Sequence, residues 1–205
     1  MENSLKDHWE HSYTTKQPHE VSWTQETPTT SIQLIEELNL PKDAGIIDIG
    51  GGDSHLVDHL LKQGYTNLTV LDISAAALER AKERLQSNAD KVKWVVSDIL
   101  DFKPKATYTL WHDRASFHFQ ITDEAINQYL NVLKKATKGY AIVGGFSTEG
   151  PKKCSALDIK QYDEEALQQC MAIAELKTLK SLRVDHITPM GGSQNFLFGV
   201  FQKLI

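Results

Sequence analysis

The sequence contains little of what marks a secreted, metal-binding or nucleic-acid-binding protein. It has two cysteines, Cys154 and Cys170, and neither has a second Cys or His at zinc-ligand spacing, which excludes a disulfide framework and a zinc site of that kind. The formal net charge is −5, so the sequence lacks the basic excess that is typical of nucleic-acid-binding proteins. We therefore expect neither a metal nor a nucleic acid among the ligands.

Long apolar runs, internal repeats and low-complexity segments are also absent. Residues 1–7 are polar and no apolar run approaches the length of a membrane span, so the sequence predicts a cytoplasmic protein without a membrane partner. The 205 residues, 40% of them hydrophobic, are enough for one α/β domain with a good core. We place this domain at residues 30–205, after an N-terminal arm at residues 1–29, and expect a monomer or a homodimer.

A glycine loop organises the rest of the chain. An apolar run at residues 46–49 breaks into Gly50, Gly51 and Gly52, which predicts a buried parallel strand that turns sharply into a helix. Glycine permits positive φ and lets a ligand approach the backbone, while the free N–H groups of the helix start favour an anion. The loop therefore predicts a site for a nucleotide-like group. It is not a dinucleotide fingerprint, because His55 stands where the last glycine is required.

The pattern acid-x-Gly-x-Gly, formed by Asp48, Gly50 and Gly52, resembles the first motif of the class I S-adenosylmethionine-dependent methyltransferases. Ser54 replaces a third glycine that is frequent in that family. The resemblance implies S-adenosylmethionine as cofactor and S-adenosylhomocysteine as product. It assigns to the cofactor site Trp23, Asp48, Gly50, Gly51, Gly52, Asp72, Ile73, Ser97, Asp98, Ile99 and His112.

Acidic residues end two further predicted strands. Asp72 lies 72 − 52 = 20 residues after Gly52, at the end of the second strand, where a carboxylate can accept both ribose hydroxyls of an adenosine. The alternative is an acid that merely flanks the next helix, with Ser74 as its cap. Asp98 follows the third strand, at residues 92–96. The resemblance assigns this acid to the adenine amino group, although Ser-Asp alone is also a turn signal.

The catalytic residues are expected after the fourth strand, which we predict at residues 108–111. The carboxyl ends of the strands line the ligand crevice of an open α/β sheet, and the segment His112-Asp113-Arg114 follows there. His112, Asp113 and His118 are the candidate bases, although His112 has an alternative role as a cofactor contact and the whole segment could be a solvated loop. Arg114 either holds an anionic acceptor such as a carboxylate or pairs with Asp113. If the segment is helical, His118 faces the same pocket as Arg114.

The chain ends in two strands, at residues 179–187 and 194–201, joined by a glycine-rich turn. With the five preceding strands, this ending resembles the complete class I methyltransferase fold: an α/β, doubly wound, Rossmann-like, seven-stranded sheet, mostly parallel with a C-terminal antiparallel hairpin, and helices on both faces. The hairpin and His55 together disfavour a nicotinamide oxidoreductase.

Two further questions concern the arm and the acceptor. Trp9, Tyr13 and Trp23 make the arm too aromatic for a disordered tail, so it either packs over a sheet edge or forms a lid. The Trp-His-Asp-Arg segment resembles small stand-alone methyltransferases, whereas a Trp-Asp-Lys-Gly variant is familiar from protein-lysine methyltransferases. The motifs for methylation of bases and of arginine are absent. We therefore expect methyl transfer to a small molecule, with a protein lysine methyltransferase or a non-catalytic cofactor-binding module as alternatives.

Overall fold

A seven-stranded mixed sheet forms the centre of the computed structural model, which describes residues 4–204. Residues 1–3 of the predicted arm and residue 205 of the predicted domain lie outside the described residues. The strands are β1 (Ile46–Ile49), β2 (Leu68–Asp72), β3 (Val92–Val96), β4 (Tyr108–Arg114), β5 (Thr137–Phe146), β6 (Lys153–Cys154), β7 (Leu157–Asp158), β8 (Leu176–Ile187) and β9 (Ser193–Lys203).

The sheet order is β3-β2-β1-β4-β5-β9-β8, and the short strands β6 and β7 form a separate hairpin. The first five strands of that order are parallel, while β9 runs antiparallel to both β5 and β8. The predicted doubly wound sheet with its C-terminal antiparallel hairpin is therefore confirmed. Because the chain leaves β1 toward β2 and β3 and later returns to β4 on the other side, a crevice opens beyond the carboxyl ends of β1 and β4.

Helices cover both faces of the sheet. They are α1 (Leu5–Thr15), α2 (Thr29–Glu37), α3 (Leu56–Lys62), α4 (Ala75–Leu85), α5 (Asp123–Ala136) and α6 (Glu164–Ile173). Buried side chains of α2, α3 and α4 form one core with one sheet face, and those of α5 and α6 form a second core with the other. Among residues 4–204, the helices are all too short or too polar to cross a bilayer.

Strand β4 is longer than the sequence predicted, and this changes where its side chains point. It continues through His112 and Asp113 to Arg114, because these residues pair with β1 on one side and with β5 on the other. Successive side chains of a strand point to opposite faces. His112 and Arg114 therefore lie on the face that carries α2, and Asp113 lies on the face that carries α5.

A buried polar chain joins α5 to the underside of β4. The indole Nε1 of Trp111 donates to the hydroxyl of Tyr129 at 2.9 Å, and that hydroxyl donates to Oδ2 of Asp113 at 2.6 Å. All three side chains are fully buried. The Tyr129 hydroxyl is thus the partner of two polar groups that have no access to water.

We predict that Tyr129→Phe destabilises the fold by about 1–3 kcal/mol, because the substitution leaves a buried indole N–H and a buried carboxylate oxygen with one partner fewer. Urea unfolding followed by circular dichroism measures the change. Tyr108→Phe is the matched control, since no hydrogen bond to the Tyr108 hydroxyl occurs within residues 4–204. Equal stability of the two variants would contradict the structural role of the Tyr129 hydroxyl.

Candidate active site

A cavity lies at the carboxyl ends of β1 to β4, beneath the N-terminal arm. It contains about 1140 Å³ of space free of protein atoms, part of it continuous with bulk solvent. The predicted site residues in its wall are Trp23, Asp48, Gly50, Gly51, Asp72, Ile73, Ser97, Asp98, Ile99, His112 and Arg114. The structure thus brings together most of the predicted cofactor residues and two of the four predicted catalytic residues.

The glycine loop is shaped by close contacts at Gly50 and Gly52. Both residues adopt positive φ, 61° and 50° respectively. A Cβ on Gly50 would lie 2.8 Å from Cβ of Ser116, and one on Gly52 would lie 2.6 Å from the hydroxyl oxygen of Tyr13. Side chains are therefore excluded here by backbone conformation and by space. Gly52 belongs to the loop, but Tyr13 covers it.

Asp72 ends β2 at the cavity wall, and both interpretations of this residue have support in the geometry. The backbone N–H of Ser74 donates to its Oδ1 at 2.8 Å, and the Ser74 side chain caps α4 by accepting from the Ala77 N–H. The carboxyl is only 5% exposed. Burial raises the pKa of Asp72 to about 7, partly offset by backbone hydrogen bonds from Ser74 and Gly52. A ligand that donates hydroxyl groups to this acid would favour its ionised form.

The contacts of Asp98, which follows β3, also fit both a turn residue and a ligand contact. Its Oδ1 accepts from the backbone N–H of Leu100 at 2.8 Å, as in a simple turn, and the residue also forms part of the cavity wall together with Ser97 and Ile99.

A chain of three buried side chains crosses the cavity wall from β1 to α2. Nδ1 of His112 lies 2.6 Å from Oδ1 of Asp48, and its Nε2 lies 2.9 Å from Oγ of Ser31. A carboxylate only accepts hydrogen bonds, so Nδ1 carries a proton, and in the neutral imidazole the Ser31 hydroxyl donates to Nε2. Both ring nitrogens are therefore occupied within the protein. Sequence patterns gave no signal for Ser31, because only the three-dimensional packing of α2 brings it to β4.

Arg114 is buried in the wall of the same cavity and has no carboxylate partner within residues 4–204. Its Nη1 donates to the carbonyl oxygen of Trp23 at 3.0 Å, and its guanidinium lies 4.9 Å from the centre of the Phe196 ring. Nη2 is buried without a hydrogen-bond partner. Burial lowers the pKa of Arg114 to about 10, which leaves it charged at neutral pH. The alternative prediction of a pair with Asp113 is wrong, since the two side chains lie on opposite faces of β4.

Asp113 and His118, predicted as candidate bases, do not line the main cavity, so their positions disfavour that role. Asp113 faces α5, where its Oδ1 accepts from the N–H groups of Ser116 and Phe117 and its Oδ2 from Tyr129. Burial raises its pKa to about 6. His118 lies in a short 3-10 turn, Phe117–Phe119, not one helical turn beyond Arg114. Neither side chain reaches the main cavity.

His118 instead lies beside a small second cavity under β5. Its ring is fully buried, and both its Nε2 and the hydroxyl of Tyr162, which lines the same cavity, have no hydrogen-bond partner in the protein. Burial lowers the pKa of His118 to about 3, assisted by the positive charge of Arg114. The imidazole is therefore neutral in the folded protein over the ordinary pH range.

The N-terminal arm lies over the main cavity and places aromatic side chains in its wall. Trp9 forms edge-to-face contacts with Trp23 and with Phe119, at ring-centre distances of 5.4 and 5.3 Å. Hydrogen bonds also hold the arm, among them those of Glu10 and Ser22. Glu10 accepts from the Ser74 hydroxyl at 2.6 Å and from the Ala76 N–H at 3.2 Å. His186 lies 2.7 Å from the carbonyl oxygen of Ser22 through its Nε2.

Ala115, Ser116 and Cys154 also belong to the cavity wall, although the sequence did not predict them as site residues. Ala115 follows β4 with a φ of 70°, a conformation that residues other than glycine seldom adopt, and its neighbour Ser116 touches the glycine loop. Cys154 is buried in the wall, and burial raises the pKa of its thiol to about 11. This cysteine is therefore a neutral thiol near neutral pH.

The comparisons with known proteins agree with this geometry. Residues 46–139 match the family described as a methyltransferase domain. The chain is 23% identical over 131 residues, 62% of its own length, to the human EEF1A lysine methyltransferase 2, of which the match spans 56%. It therefore spans little more than half of that relative.

Two solved structures share the fold. The 1,6-didemethyltoxoflavin N1-methyltransferase of Burkholderia thailandensis, with bound 1,6-didemethyltoxoflavin and S-adenosylhomocysteine, has a TM-score of 0.74 at 18% identity, covering 98% of this chain and 88% of that one. The magnesium protoporphyrin IX methyltransferase of Synechocystis, with bound S-adenosylmethionine, has a TM-score of 0.67 at 16% identity, covering 98% and 93%. Residues 46–139 thus match a methyltransferase domain, and the chain shares the fold of these two methyltransferases.

The buried His118 gives a prediction for the pH dependence of stability. Because its pKa falls from 6.5 to about 3 on folding, the unfolded chain binds a proton in this range that the folded protein does not. Stability therefore falls as the pH decreases through this window, by up to about 1.4 kcal/mol per pH unit. His118→Phe removes this contribution, so the stability difference between wild type and variant should change with pH.

Urea unfolding between about pH 6.5 and 4 measures this difference. Asp113 titrates with the opposite sign, but it is present in both proteins and cancels in the comparison. His19→Phe, at an exposed histidine, is the control and should follow the wild type. Parallel curves for wild type and His118→Phe would show that His118 is not held neutral by the fold.

Proposed function

We propose that this protein transfers the methyl group of S-adenosylmethionine to a small-molecule acceptor. The observation that carries the proposal is the juxtaposition of the glycine loop at Gly50 to Gly52 with the buried carboxyl of Asp72. A Cβ on Gly50 or Gly52 would collide with its neighbours. Asp72, at the end of the adjacent strand, is buried, and hydroxyl groups that donate to its carboxylate would offset the cost of that burial. These residues fit an adenosine that carries a long substituent across the loop.

In the proposed assignment, Asp72 accepts the ribose hydroxyls and Asp98 the adenine amino group. Ile73, Ile99 and Trp23 supply apolar contacts around the base, and Ser97 closes the end of the cavity. When bound, S-adenosylmethionine supplies a methyl group already activated by its sulfonium. The principal task of the protein is then to orient the acceptor in line with the carbon–sulfur bond, which is an effect of proximity and alignment.

The only predicted base that lies in the cavity wall is His112. Its Nε2 accepts from the Ser31 hydroxyl, so an acceptor proton would reach His112 through that hydroxyl: the acceptor donates to Ser31 Oγ while the Ser31 proton moves to Nε2. The resulting imidazolium would be balanced by Asp48, 2.6 Å from Nδ1. An acceptor that is already deprotonated needs no such step. In that case the three side chains hold α2 and β4 in place.

The covered cavity favours a small acceptor. Trp9 and Trp23 close it from the side of the arm, and the cofactor and acceptor must share the space beneath them. A protein lysine substrate remains the alternative, because the curated relatives carry that activity in their names. A non-catalytic module that only binds the cofactor is the alternative outside enzymology. The sequence expectation of a cytoplasmic protein that uses no nucleic acid stands as part of this proposal.

Calorimetric titration of the intact protein with S-adenosylhomocysteine, and with NAD as the negative ligand, tests the proposal. We expect S-adenosylhomocysteine alone to bind. Asp72→Ala should weaken its binding by about 1.5–3 kcal/mol, the range for hydrogen bonds to a charged group. Asp101→Ala, at an exposed carboxylate after β3, is the matched control and should bind as the wild type does. Unchanged affinity in a folded Asp72→Ala variant would remove Asp72 from the site.

The arm should act as a lid over the bound cofactor. We predict that trypsin cleaves after Lys16, at the end of α1, more slowly when S-adenosylhomocysteine is bound, because the ligand fills the cavity against which the arm packs. Glu10→Ala should accelerate cleavage in the ligand-free protein, since Glu10 fastens α1 to the start of α4.

Glu26→Ala is the control for the arm, because this exposed side chain makes no hydrogen bond within residues 4–204. Electrophoresis of timed samples gives the rates. Identical rates with and without ligand would favour the plain packing of the arm over a sheet edge.

A further inference from the structure

The charges in the cavity wall are strongly unequal. Four carboxylates lie there, at Asp48, Asp53, Asp72 and Asp98, whereas Arg114 is the single arginine or lysine of the wall among residues 4–204. Asp48 lies against His112 at 2.6 Å, and Asp53 lies 3.5 Å from Arg80. None of the four acids is a counter-ion of Arg114, since no carboxylate oxygen lies within 4.0 Å of its guanidinium in the described part of the chain.

Arg114 is also incompletely hydrogen-bonded. A guanidinium has five N–H donors, and here a single hydrogen bond, from Nη1 to the Trp23 carbonyl, uses one of them. Nη2 is buried without a partner, and so is the hydroxyl of Thr24, which belongs to the same wall. Burying a charge without a counter-ion is costly, and the cost is offset when an anion arrives in the right geometry. The environment of Arg114 is therefore suited to a carboxylate.

The position of Arg114 separates it from the proposed adenosine end. Asp72 ends β2 and Arg114 ends β4, with β1 between them in the sheet. Neighbouring strands lie about 4.8 Å apart, so the two strand ends are about 10 Å apart. His112 precedes Arg114 by two residues on the same face of β4, and Ser31 of α2 is hydrogen-bonded to His112. A group held by Arg114 therefore lies near the candidate proton path and away from Asp72.

We infer that Arg114 binds a carboxylate of the acceptor, and hence that the substrate class is a small molecule that carries a carboxylate group; this rests on the proposed function. A guanidinium binds a carboxylate through two parallel hydrogen bonds, which fixes the orientation of the acceptor as well as its position. The same positive charge disfavours a lysine ammonium in this part of the cavity. The geometry thus separates an anionic small molecule from a protein lysine as the acceptor.

The cofactor itself has a carboxylate, on its amino-acid portion, and the experiment must separate the two sources. Ligand-observed NMR with matched acid and amide pairs, benzoate with benzamide and hexanoate with hexanamide, tests the acceptor site on wild-type protein, both alone and with S-adenosylhomocysteine. We expect the acids to bind at least about tenfold more tightly than the amides. This comparison needs no substitution and so does not depend on the folding of a variant.

The second arm of the experiment uses Arg114→Met, with Arg114→Lys as the variant that keeps the charge. Arg114→Met should abolish the preference for acids, and Arg114→Lys should keep part of it, while the affinity for S-adenosylhomocysteine stays within about twofold of the wild type. Calorimetry with 5′-methylthioadenosine, which lacks the amino-acid portion, completes the set. Circular dichroism establishes that each variant is folded.

Three results would overturn the inference or its basis. Equal binding of acids and amides to the wild type removes the carboxylate site. Loss of affinity for S-adenosylhomocysteine in Arg114→Met, with unchanged affinity for 5′-methylthioadenosine, assigns Arg114 to the carboxylate of the cofactor instead. Failure of the wild type to bind S-adenosylhomocysteine contradicts the proposed function, and the acid and amide titrations of the protein alone then still decide the role of Arg114.

Discussion

The parallel pairing of β1 with β4 is the constraint on which the site depends. Its register sets Asp48 beside His112 across adjacent strands, and the short hydrogen bond between them ties the start of the glycine loop to the end of β4. Ser31 extends the same chain to α2, so one line of side chains joins three elements that are far apart in the sequence. Packing of the two strands thus positions both the glycine loop and the residues proposed for the chemistry.

The alternation of side chains along β4 divides its polar residues between two roles. His112 and Arg114 face the cavity, whereas Asp113 faces α5 and is fully used by Ser116, Phe117 and Tyr129. Asp113 orders the turn that follows the strand, and this turn carries Ala115 and Ser116 to the glycine loop. The acid between His112 and Arg114 is therefore a structural support that fixes the geometry of the loop.

Much of the fold could be predicted from the sequence, because apolar runs, glycines and strand-ending acids are local signals. The glycine loop, Asp72 and the closing hairpin are examples. The error at Asp113 and His118 came from the predicted end of β4: three polar residues in a row read as a loop, although a strand buried between two others holds them. Strand alternation, applied to residues 112–114, would have assigned Asp113 correctly. Ser31 left no signal, because its contact with His112 joins residues 81 positions apart.

The attachment of Glu10 to the start of α4 has a consequence for energetics. Ser74 follows Asp72 by two residues; its hydroxyl binds Glu10 of the arm, and its backbone N–H binds the Asp72 carboxyl. One turn therefore contacts both the arm and the acid at the end of β2, so the position of the arm is coupled to the state of that acid. Coupling of this kind is reciprocal. If the seated arm strengthens ligand binding by a given free energy, ligand binding stabilises the seated arm by the same free energy. If the arm were seated only part of the time, the apparent affinity for the ligand would be reduced by that fraction.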